Sequence, residues 1–123
     1  MPEPRPLNGL KILLVEDEFF VALELKSMLH DLGAEVVGPV GRLNSARDLA
    51  ASEPLQGAVL DVKLDGDTSF PLAEELLERG VPVIFTTGFD AAALPVKFRE
   101  APRLAKPVNG DALRRLALEQ FRR

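Results

Sequence analysis

A carboxylate at Asp61, two more at Glu16 and Asp17, a hydroxyl at Thr87 and an ammonium at Lys106 are the parts of a phosphoryl-transfer site. Each follows a short apolar run. LKILLV (residues 10–15) breaks at once into Glu16, Asp17 and Glu18; GAVLDV (57–62) carries Asp61; VIFTT (83–87) ends in Thr87; and LAKP offers Lys106. Carboxylates about 4 Å apart repel by about 4 kcal/mol at an effective dielectric near 20, which a fold tolerates when a cation fills the pocket. With no cysteine and a single histidine, the ligands left are oxygens and the cation is hard: Mg²⁺ or Mn²⁺. Glu16, Asp17 and Asp61 are the expected ligands, and Glu18 is expected to point along a helix toward solvent. A carboxylate can also be a nucleophile, and phosphoryl transfer mostly requires positioning and neutralised oxygens. Lys106 would supply a point charge and Thr87 a hydroxyl donor.

Each residue also has an ordinary explanation. Acids favour helix starts, an aspartate can turn the chain after a strand, and threonines belong in strands. Lys106 alone could be a surface lysine before proline. Taken together at successive strand ends, the set favours a shared pocket. His30 lies in MLHDLG with no bundle around it and reads as an exposed structural histidine. LDGDTS (Asp65, Asp67, Ser69) imitates the D-x-D-x-[ST] motif of aspartate-nucleophile phosphatases, but there the first acid follows its strand directly, whereas this strand ends at Asp61.

The elements that must hold these groups alternate. Apolar residues at helical spacing over residues 19–32 (Phe20, Leu23, Leu25, Met28, Leu29, Leu32) end at Gly33; AEVVG is a short strand broken by Pro39; residues 43–52 form a helix capped near Asn44. A polar loop, KLDGD, follows the Asp61 strand, and a helix over 69–79 stops at Gly80. A fifth strand covers 103–105, and a last helix starts at Asn109 or Asp111. Alternating βα units predict an α/β fold, a parallel sheet with helices on both faces and the ligand crevice at the strands' carboxyl ends. Residues 88–102 carry Pro95 and Pro102 where a fourth helix belongs, so a loop or short helix is expected, mobile before activation.

Composition narrows the function. The 123 residues suit one domain, residues 1–8 reading as a flexible, proline-rich lead and 9–123 as the folded part. Net charge −4, with fifteen basic and nineteen acidic residues, argues against nucleic-acid binding. No apolar run approaches a membrane span and no signal-peptide core is visible, so a cytoplasmic location is expected.

KILLVEDE, VLDVKL, VIFTTG and LAKP, in this order, resemble the receiver domains of two-component response regulators over residues 10–121. The resemblance implies a five-stranded flavodoxin-like sheet of order 2-1-3-4-5 and phosphorylation of Asp61 by a sensor histidine kinase. It also implies Mg²⁺ held by Asp17, Asp61, Glu16 and the Lys63 backbone carbonyl, with Thr87 as switch hydroxyl and Lys106 as phosphate contact. Arg103 stands where most receivers carry an aromatic residue, and Thr87 and Lys106 are only nineteen positions apart. PVIFTTGFD resembles the "FAT GUY" subgroup, several of which stand alone and pair with HWE-type or related kinases. A single-domain receiver is thus expected, a monomer or weak dimer that signals to a downstream protein or drains phosphate from a kinase, with no small-molecule turnover. The alternatives are a small Mg²⁺-dependent phosphohydrolase and a binding module that needs no phosphorylation.

Overall fold

A computed structural model describes residues 5–64, 66–88 and 94–121. In chain order the elements are β1 (Lys11–Val15), α1 (Phe19–Asp31), β2 (Glu35–Val40), α2 (Leu43–Ser52) and β3 (Gly57–Asp61). Then come β4 (Lys63–Leu64), β5 (Asp67–Thr68), α3 (Phe70–Glu78), β6 (Val83–Thr87), β7 (Arg103–Ala105) and α4 (Gly110–Gln120). The main sheet is parallel, in the order β2-β1-β3-β6-β7. With the small β4–β5 ribbon set aside, that is the 2-1-3-4-5 order of a flavodoxin-like fold.

Strand alternation divides the core in two. Leu13, Val15, Leu60 and Phe85 face one way, against Ala46 and Ala50 of α2 and Leu72, Ala73 and Leu76 of α3. Ile12, Leu14, Val59 and Ile84 face the other way, against Leu25 and Leu29 of α1 and Leu113 and Ala117 of α4. Every residue of β3 and β6 is buried. That explains their uninterrupted apolar runs.

Several local expectations are revised. The second strand runs on through Pro39, but its register against β1 slips there, between the Leu13–Val37 and Val15–Val40 pairs, as the sheet edge allows. The KLDGD loop is instead an antiparallel ribbon, β4–β5, whose tip holds Gly66 at φ +77°. Asn44 does not cap α2; Arg42 occupies that position and makes no side-chain cap. Asn109 does cap α4, its Oδ1 accepting from the N–H groups of Asp111 (2.8 Å) and Ala112 (3.0 Å). Leu7, assigned from sequence to a flexible lead, is fully buried beneath α1, and its N–H donates to Leu32 O at 2.8 Å.

Between β6 and β7 the described residues hold one 3-10 turn, Val96–Phe98, in place of a full helix. Phe98 is buried, stacked on Phe70 and edge-on to Phe85, each at a centroid distance of 5.3 Å. Arg103 Nη1 donates to Arg99 O at 2.6 Å, tying the turn to β7. Residues 89–93, in the segment expected to be mobile, lie outside the described residues.

Candidate functional site

Strand register brings the reactive groups together. Val15 pairs with Leu60, so Glu16 emerges from β1 beside Asp61. Thr87 pairs with Ala105, which places Lys106 one residue beyond the end of β7. Two backbone bonds fix these exits: Glu16 N–H donates to Val40 O, and Lys106 N–H to Thr87 O, both at 2.9 Å. Glu16, Asp61 and Thr87 are buried.

Lys106 is the centre of the cluster. Its Nζ lies 2.7 Å from Glu16 Oε1, 2.9 Å from Asp61 Oδ2 and 3.2 Å from Glu18 Oε1. The second oxygen of Glu16 accepts from Glu18 N–H at 3.0 Å, so one acid both pairs with the lysine and satisfies a donor at the start of α1. Burial pushes the Glu16 carboxyl up to about 7; the Lys106 and Glu18 hydrogen bonds oppose the rise, and the charge of Asp61 adds to it. Burial alone would lower Lys106. Its hydrogen bonds to Glu16 and Asp61 outweigh that and raise it above the ordinary lysine value, so it stays an ammonium.

The donor set suits a hard cation. Carboxylate oxygens of Glu16, Glu18 and Asp61 all lie within 4.8 Å of one another. Two oxygens on one Mg²⁺ reach about 4 Å across it. Asp17 stands outside that trio. It is exposed and, with Glu18, Lys63 and Asp67, lines an open hollow of about 650 Å³ at the pocket's mouth. Glu18, expected to face solvent, instead reaches back to Lys106 although it is 63% exposed. The chain bends at Asp17 and Glu18, and the Glu18 N–H bond to the Glu16 side chain brings Glu18 alongside Glu16, which the bare EDE run does not announce.

No protein-family model matches the chain. Solved structures do. SdrG from Sphingomonas melonis Fr1 superposes with a TM-score of 0.80 at 35% identity, over 89% of this chain and 94% of SdrG. A BeF3-activated conformation of SdrG, from Pseudomonas melonis Fr1, gives 0.76 at the same identity. The receiver domain of the sensor histidine kinase PA1611 from Pseudomonas aeruginosa PAO1 has magnesium coordinated in its active site cleft. It superposes at 0.74 with 27% identity, over 92% of this chain and 98% of that domain. The chain belongs to the response regulator receiver family. Among curated proteins, this receiver is 28% identical over 96 residues to the transcriptional regulatory protein PdtaR of Mycobacterium tuberculosis, and it spans only 47% of PdtaR's length. Among its described residues no helix is long and apolar enough to cross a membrane.

Proposed function

We propose that this receiver accepts a phosphoryl group on Asp61 from the phosphohistidine of a sensor kinase, and signals by changing shape. The observation that carries the reading is the buried Asp61 carboxylate, 2.9 Å from Lys106 inside an acid cluster. An Asp61 oxygen attacks phosphorus, the P–N bond breaks, and the imidazole leaves with its electron pair. Lys106 then shifts from the carboxylates to an oxygen of the transferred group, and the Thr87 hydroxyl donates to another. Glu16 and Asp61, with Asp17 and the Lys63 backbone carbonyl at the mouth, would hold Mg²⁺ or Mn²⁺. The bound ion supplies positive charge to the phosphoryl oxygens.

The docking partner would meet an apolar rim. Phe19 and Phe20 are 68% and 77% exposed directly after the acids. Such a rim suits a protein donor of the sensor-kinase class, HWE-type in the "FAT GUY" reading, better than a small phosphoester. The downstream effect is passed to a protein partner or consists of draining phosphate from the kinase, in the cytoplasm.

Incubation with acetyl phosphate and Mg²⁺, followed by intact mass spectrometry, tests this. A single phosphoryl adduct is expected, absent in Asp61→Asn. Release of many phosphates per chain would identify a hydrolase instead. Undiminished signalling by Asp61→Asn would identify a phosphorylation-independent binding module.

A further inference from the structure

We infer that Glu18 is a positioning residue that seats the Lys106 ammonium at the pocket mouth and yields it to the phosphoryl group. The inference rests on the phosphoacceptor reading and extends it to a residue outside the expected ligand set.

The Lys106 ammonium donates to Glu18 and Asp61 and pairs by charge with Glu16, so three carboxylates share one cation. Two of these acids, Glu16 and Asp61, are buried and would also hold the divalent cation. A cation entering beside them would compete with the ammonium for these carboxylates. Stranding a charge without a partner in a partly buried site is costly. Glu18 removes that cost, because its Oε1 is already 3.2 Å from Nζ. The ammonium can give up Asp61 without leaving the mouth.

Glu18 is suited to a temporary seat by how it is held. Its backbone is pinned, N–H to Glu16 Oε2 at 3.0 Å and C=O accepting from Ala22 N–H at 2.9 Å. Its side chain, by contrast, is 63% exposed and can turn into water. Once a phosphoryl group sits on Asp61, its charge repels Glu18 and attracts Lys106. Glu18 thus helps the cation enter but competes with the phosphoryl group for the lysine.

Those two roles have opposite signs, and the test reads both. Isothermal titration calorimetry would measure Mg²⁺ affinity, and then beryllofluoride affinity at saturating Mg²⁺, for wild type, Glu18→Gln, Lys106→Met and the double variant. Glu18→Gln is expected to weaken Mg²⁺ binding about fivefold with Lys106 present and less than twofold without it, a coupling ordinary for groups in contact. The same variant should bind beryllofluoride more tightly. Equal Mg²⁺ losses in both backgrounds, or weakened binding of both ions, would overturn the assignment. A wild-type chain that takes up neither ion would overturn the phosphoacceptor reading itself, and the role of Glu18 with it.

Discussion

Thr86 stands directly opposite Asp61 in the β3–β6 ladder, and its fully buried hydroxyl has no hydrogen-bond partner among the described residues. A buried donor left unpaired costs about 1–3 kcal/mol. Thr86→Val is therefore expected to raise stability by about 1 kcal/mol while leaving phosphoryl uptake on Asp61 unchanged. Urea unfolding midpoints check the first half and intact mass the second. A clear loss of stability would mean that the hydroxyl has a partner.

Glu16 sets a pH dependence. Burial raises its carboxyl in the folded chain to about 7, from an ordinary value of 4.5. Between those values the folded state binds more protons than the unfolded state. Its contribution to the stability of the cation-free protein therefore falls as pH rises through that window. Mg²⁺ needs the ionised carboxylate, so its affinity should rise over the same range, with proton release. Calorimetry in buffers of different ionisation enthalpy would detect that release.

Gly57 opens β3 beneath the last turn of the chain. A Cβ there would meet the Phe121 ring at 2.5 Å, and Phe121 is buried at the end of α4. Gly57→Ala should destabilise by about 1–3 kcal/mol through overpacking. Pairing it with Phe121→Leu should recover part of the loss. Denaturant titration of both variants measures the coupling.

Phosphorylation should slow amide exchange in residues 88–102, as an order–disorder switch would. Leu94 and Phe98 are already buried, so the slowing should be weakest around them. Exchange that is unchanged across the whole segment would count against such a switch.

The sheet was legible because its central strands, buried on both faces, spell continuous apolar runs, and each reactive residue follows one of them. What stayed hidden depends on side-chain direction and tertiary cover. EDE reads as two ligands, Glu16 and Asp17, and one outward acid, Glu18, until the bend at residues 17–18 brings Glu18 to Lys106 and leaves Asp17 exposed. Helical spacing placed Phe20 and Leu23 in an apolar face, yet α1 buries Ala22, Leu25 and Leu29 and leaves both exposed. KLDGD reads as a polar loop by composition, yet its Asp65–Gly66 pair is also a hairpin signal. The flexible reading of residues 1–8 came from their prolines, and composition says nothing of what one leucine can reach.

That leucine bears on how the protein is handled. Leu7 plugs the layer beneath α1, the helix that Glu18 precedes at the pocket. A version trimmed to begin at Gly9 would uncork that layer, and an apparent defect in phosphate uptake could then come from the scissors and not from the chemistry.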